Sequence, residues 1–179
     1  EAASGGDVNK AIDYAARAAE RATELLAHEE AANHYERALS ALEASEPVDE
    51  SRRCELLISL GASQRYSGTP AYRQTYERSI ALARQLGDAD PFARAVTEIQ
   101  PFGTPGLVDE ELVRALEEAL ELLGDQDSGL RASVMARLSE ALRFSRQREP
   151  RESLCRDAIE MARRIGDREA LVRVLGVGE

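Results

Sequence analysis

The amino-acid sequence predicts an all-α fold: a right-handed superhelical stack of antiparallel helix hairpins, with about nine helices. Three observations predict it. Apolar residues recur at helical spacing along almost the whole chain, and strand-like alternation never runs for a useful length. A Gly-Asp pair also returns at Gly87-Asp88, Gly124-Asp125 and Gly166-Asp167, with spacings of 37 and 42 residues. A period near 40 that holds two helices implies a solenoid, because one hairpin cannot bury its own apolar face and neighbours must stack.

The apolar stripes place the helices at about 8–27, 29–45, 50–67, 70–86, 90–100, 109–123, 128–147, 150–165 and 168–177. Leu112, Leu116, Ala119, Leu120 and Leu123 form one such stripe, and Leu154, Ala158, Ile159, Ala162 and Ile165 another. Thr69-Pro70 and Asp90-Pro91 each set a capping oxygen before a proline suited to the first helical position. Asp7, Asp109 and Asp127 stand where caps are wanted, and Gly68, Gly87, Gly124 and Gly166 where helices should stop. The breaker-rich segment Pro101–Gly106 makes a longer link, either an irregular connection or a recognition loop. The chain thus reads as one repeat domain, 1–179, with repeats at 8–45, 50–87, 90–124 and 128–166 and a partial last helix at 168–177.

Composition agrees with close helix packing. Ala and Leu dominate the apolar 43%, with three Phe, five Tyr and no Trp, and small side chains let helices approach. The net charge of −10 divides into −13 over residues 1–127 and +3 over 128–179. An acidic body of this kind is a poor nucleic-acid surface. Arginine supplies 22 of the 23 basic residues, Lys10 being the exception, a bias that points to a GC-rich genome before any mechanism. Cys54 and Cys155 fall at apolar helical positions, so two buried thiols in a reducing, cytoplasmic setting are expected. No apolar run approaches the roughly 20 residues of a membrane span. The way the chain opens and stops reads as an excised piece of a longer protein.

The repeat residues resemble the tetratricopeptide family, which sets a small residue in the first helix of a hairpin and a small–large–small trio in the second. Ala19 with Ala31, Tyr35 and Ala38 fits; Gly61 with Tyr76 and Ser79 fits with one residue fewer between helices; Ser139 with Cys155 and Ala158 fits in spacing. The third repeat departs from the pattern, no repeat carries the family's Trp, and the period exceeds 34, which makes this a divergent variety. Ala15 to Leu39, Val108 to Leu123 and Leu130 to Asp167 further resemble the helical region of actinobacterial LuxR-type and related STAND ATPase regulators, including relatives of the maltose-regulon activators. That resemblance implies a segment that follows a nucleotide-binding core and senses a small-molecule inducer or protein partner, with DNA binding carried elsewhere in the parent.

No catalytic or cofactor chemistry is indicated. The single lysine, Lys10, is followed by Ala11, so the Gly-Lys-Ser/Thr of a phosphate loop is missing. His28-Glu29-Glu30-Ala31-Ala32 opens like a zinc-protease helix without its second histidine, and His28 and His34 point to opposed faces. Glu29-Glu30, Glu110-Glu111 and Glu117-Glu118 are adjacent pairs, which on a helix do not face each other and read as solvated. Arg143, Arg146, Arg148 and Arg151 are interleaved with Glu140, Glu149 and Glu152, a mixed surface more than a phosphate grip.

If superhelical repeats bind on their concave side, the polar positions beside Ala19, Gly61 and Ser139 are the candidates: Glu20, Glu55, Arg65, Glu140 and Arg143. The partners expected are a protein or inducer on that face and neighbouring domains of the parent, with neither nucleic acid nor membrane. A second reading is a self-associating scaffold in which the acidic 1–127 portion packs on the more basic 128–179 portion of a neighbour.

Overall fold

A computed structural model describes residues 2–100, 106–145 and 148–176. Its order is α1 (Ala2–Glu24), α2 (His28–Glu43), α3 (Glu50–Tyr66), α4 (Tyr72–Leu86), α5 (Ala89–Glu98), α6 (Glu110–Leu123), α7 (Gly129–Ala141), α8 (Arg148–Ile165) and α9 (Arg168–Gly176). The described residues are all-helical and include no strand.

The terminators fall where glycine was expected to stop a helix. Gly68, Gly87, Gly124 and Gly166 take φ of 75°, 68°, 65° and 70°. At Gly87 the turn closes with Asp88 N–H donating to the Ala83 carbonyl at 3.1 Å, the six-to-one bond of a Schellman end. α1 ends in the same way without a glycine. Leu26 sits at φ 58°, and Ala27 N–H donates to the Ala22 carbonyl at 2.8 Å. With no glycine to mark it, that end lies earlier than the sequence placed it.

Caps differ more. Asp109 accepts from Leu112 N–H at 3.1 Å, as expected, but Asp7 lies inside α1, which starts at Ala2. Before α7 the cap is Ser128, whose hydroxyl accepts from Arg131 N–H at 3.0 Å. Asp127 instead accepts from the Arg164 guanidinium at 2.6 Å, because a cation on α8 competes for its carboxylate. Thr69 does not cap α4: its hydroxyl pairs with that of Ser67 at 2.9 Å, and the helix begins two residues after Pro70. α5 starts at Ala89, so Asp90 lies in its first turn. α7 stops at Ala141 instead of running to 147, closing through Arg143 N–H to the Glu140 carbonyl at 2.9 Å. Residues 101–105 of the expected Pro101–Gly106 loop lie outside the described residues.

The chain divides into two compact units, Glu1–Pro91 and Phe92–Glu179. In the first, α1 packs on α2, α2 on α3 and α3 on α4. Ala19, Ala31 and Ala38 are fully buried and Tyr35 nearly so. In the α3–α4 hairpin, Gly61 lies against the Tyr76 ring, where a Cβ would come within 2.9 Å of Cε1. Tyr76 and Ser79 are fully buried, and Thr75 donates to the buried Gln64 side chain at 2.7 Å. Ion pairs bind the rim: Arg52 to Asp13, and Glu43 to Arg53 at 3.0 Å and to Arg78 at 3.4 Å.

In the second unit α6 packs on α7, and α7 on both α8 and α9, which also touch each other. Ala132, Met135, Ala136, Ala158, Met161, Ala162, Ala170 and Val174 form one core, with Leu120, Leu154, Ile159 and Leu171 packed around it. Gly129 permits the approach of α7 to the α8–α9 turn, since a Cβ there would meet the Asp167 carboxylate. Asp167 caps α9 through Ala170 N–H at 2.9 Å.

Candidate functional site

Each candidate side chain lies on the helix expected for it except Arg143. Glu20 stands exposed on α1, near enough to Tyr35 for its charge to matter: burial pushes the Tyr35 hydroxyl above its ordinary pKa, and the Glu20 carboxylate adds to the rise. Glu55 is exposed on α3. Arg65, on the same helix, lays its guanidinium 4.8 Å from the centre of the Tyr66 ring and donates to the Tyr66 hydroxyl at 3.2 Å. Tyr66 in turn stacks on His28 at 5.1 Å, joining the end of α3 to the start of α2. Arg143 lies in the turn after α7, because that helix ends early, and its guanidinium is 3.8 Å from Glu140. Glu20, Glu55 and Arg65 belong to the first unit, Glu140 and Arg143 to the second.

A charged residue the sequence reading passed over is Arg137. It stands within the buried run of α7 with its side chain only 7% exposed, pairs with Glu140 and donates to the Ile99 carbonyl just past α5. Its Nε is buried and has no partner among the described residues. Glu140 is thus held between Arg137 and Arg143, which makes it part of a structural tie before it is part of a binding face. The signal was present: Arg137 is one turn beyond Val134 and adjacent to Leu138, inside the apolar register. Arginine at such a position implies a buried acceptor.

Among the described residues no group of three or more His, Cys, Asp or Glu side chains is placed to hold a metal. His34 faces Glu30 at 3.7 Å, while His28 is in the stack on Tyr66. Cys54 is buried, its thiol donating to the Ser79 carbonyl at 3.5 Å. Cys155 is only half-buried, although its place in the apolar stripe led to the expectation of a buried thiol. No family model and no curated protein matches the chain. The geometry and the residues therefore carry the functional argument. No described helix is long and apolar enough to cross a membrane. Of the arginine-rich end, Arg146 and the Arg148 side chain lie outside the described residues, and Arg151 accepts the Ser139 hydroxyl through its carbonyl at 3.0 Å.

The other surface that sequence reading missed is the outer face of α1. Lys10, Tyr14, Arg17 and Arg21 are all exposed, and Tyr14 reaches 82% exposure, the highest of the large apolar side chains described. Their spacing of four, three and four residues is a helical-face signal that was legible, but it was submerged in the net acidity of the first 127 residues.

Proposed function

We propose that this chain is a non-catalytic, tetratricopeptide-like segment of a multidomain ATPase transcriptional regulator, which binds a protein partner or a small-molecule inducer. Its hairpins stack as a right-handed superhelix in this reading. The observation that carries it is the small–large–small packing of the first unit: Gly61 against Tyr76 with Ser79 buried beside it, and Ala19, Ala31, Tyr35 and Ala38 buried in the preceding hairpin. The neighbourhood of α7, which touches both α8 and α9, is the one expected of a first helix meeting its own partner and the next repeat. The resemblance of Ala15–Leu39, Val108–Leu123 and Leu130–Asp167 to LuxR-type and STAND regulators supplies the parent's class.

Two measurements test this. Calorimetry of the segment with ATP should show no saturable binding, because no Gly-Lys-Ser/Thr is present. Binding in the micromolar range, about −8 kcal/mol, overturns the non-catalytic reading. In the parent protein, Arg65→Ala and Arg143→Ala should reduce inducer-dependent transcription while leaving ATP binding unchanged. An unaltered response removes these two from the binding face.

A further inference from the structure

On an α-helix, positions four, seven and eleven residues beyond a given one return to the same face, within an arc of about 60° at about 100° per residue. Lys10, Tyr14, Arg17 and Arg21 occupy such a set on α1. The buried positions Ile12, Ala19 and Ala22 lie on the opposite side, so the set faces solvent. Arg17 and Arg21 make no ion pair among the described residues.

α6 carries the complement at the same steps: Glu110, Arg114, Glu117 and Glu121, all exposed and opposite the buried Leu112, Leu116 and Ala119. The carboxylates of Glu110, Glu117 and Glu121 have no ion-pair partner among the described residues. If the two faces lie side by side in parallel register, Lys10 meets Glu110, Arg17 meets Glu117 and Arg21 meets Glu121. The remaining pair sets the Arg114 guanidinium against the exposed Tyr14 ring, a favourable cation–π contact. Each of the four positions on one face is thus matched in kind by the other.

We propose that α1 of one copy docks on α6 of a second copy, giving head-to-tail self-association. The two patches differ, so the contact is heterologous and leaves a free α1 and a free α6 at the ends for further copies. It is independent of the inducer-sensing reading and does not need it. The contact is weak, since each exposed charge pair contributes a factor of roughly 1.5 to 5 in affinity. The net charge of −10 opposes it at long range. Salt at about 0.1 M shortens the screening length to about 10 Å and relieves that repulsion more than the contact pairs, whereas about 1 M salt, at about 3 Å, weakens both.

Sedimentation equilibrium of the chain at up to about 1 mM, the range where contacts of this strength populate, should show a mass rising with concentration in about 0.1 M salt and a monomer in about 1 M salt. The double variant Arg17→Glu/Arg21→Glu should be monomeric in both. Glu117→Arg/Glu121→Arg should be monomeric too, although it reduces the magnitude of the net charge from −10 to −6 and would associate more strongly if bulk repulsion alone governed. An equimolar mixture of the two should associate again, because the native α1 face of one meets the native α6 face of the other. Circular dichroism confirms that each variant is helical, and Arg17→Gln/Arg21→Gln serves in place of any that is not, with association reduced. A wild-type monomer in both salts, self-association of either charge-reversed variant at the wild-type level, or a mixture that stays monomeric overturns the proposal. So does a wild-type monomer that binds a poly-glutamate peptide through Arg17 and Arg21, since the face would then serve a different acidic partner.

Discussion

Replacing Gly61 with alanine adds one methyl group where α3 meets the Tyr76 ring of α4. The new Cβ would stand 2.9 Å from Cε1 of Tyr76 and 3.0 Å from Cδ1 and Cζ. Carbon–carbon contacts are most favourable at about 3.5–4.0 Å, so three ring atoms overlap the methyl by roughly half an ångström or more. The ring is fully buried and has Tyr72 edge-on at 6.4 Å, which limits its retreat. Overpacking of this kind costs about 1–3 kcal/mol. Alanine in a helix interior recovers about 0.8–1.0 kcal/mol relative to glycine. The net expectation for Gly61→Ala is destabilisation by about 0–2 kcal/mol. The steric part is isolated by repeating the substitution in a Tyr76→Leu background, which itself loses about 2–4 kcal/mol. There the ring is gone, only the helix term remains, and Gly61→Ala should stabilise by about 1 kcal/mol. Urea unfolding of the four proteins, with midpoints compared at constant slope, gives the coupling directly. If Gly61→Ala has the same effect in both backgrounds, the close approach of α3 and α4 at this point is wrong.

Three other substitutions discriminate in the same assay. Arg137→Ala should cost about 3 kcal/mol, because it breaks a buried pair and strips the Ile99 carbonyl of its donor, whereas the more exposed Arg143→Ala should stay within about 0.5 kcal/mol. Leu26→Gly should stabilise by about 1 kcal/mol, since Leu26 holds φ 58° while 76% exposed and glycine takes that conformation without strain. The hydrogen bond from Arg164 holds the Asp127 carboxyl below its ordinary pKa, so its contribution is present above about pH 4 and is lost as pH falls through the depressed value. Carboxyl titration by NMR should show the Asp127 midpoint rising in Arg164→Gln; an unmoved midpoint refutes the pairing.

What the sequence disclosed, and what it hid, follows from range. Helix identity is a local property of periodic apolar residues, and glycine at a left-handed end is the residue with least steric penalty there, so Gly68, Gly87, Gly124 and Gly166 were readable as stops. Leu26 does the same job against its preference and was invisible. Cap assignment failed where a distant cation intervened: Asp127 and Ser128 are neighbours with equal local claims, and Arg164 on α8 decides between them. The approach of Gly61 to Tyr76 was legible because packing volume is recorded in residue size. The candidate face was less so. Exposure of Glu20 and Glu55 follows from their register, but the binding of Glu140 by Arg137 depends on which buried carbonyl an arginine reaches.

The arginine bias has a structural use that composition alone did not suggest. Arg131 reaches back from α7 to the end of α6, where the last carbonyls of a helix lack intrahelical donors. One guanidinium nitrogen donates to the Leu120 carbonyl at 3.0 Å and to that of Gly124, and the other to the Asp125 carboxylate at 3.3 Å. Arg137 treats the Ile99 carbonyl in the same way, and Arg114 donates from Nε to the Glu110 carbonyl at 3.2 Å. A planar fork serves several acceptors from one head, whereas an ammonium presents its donors around a single atom. Lysine at position 131 keeps the charge and much of the stem, so it separates fork geometry from electrostatics. Each charged hydrogen bond lost from this site is worth about 1.5–3 kcal/mol when partly buried, and the side chain is only 17% exposed. A lysine retains at most one of the two carbonyls. Arg131→Lys should therefore lose about 1.5–3 kcal/mol, and Arg131→Ala somewhat more, in urea unfolding. Lysine that matches arginine within about 0.5 kcal/mol would show that charge near the α6 terminus suffices and that the fork is incidental.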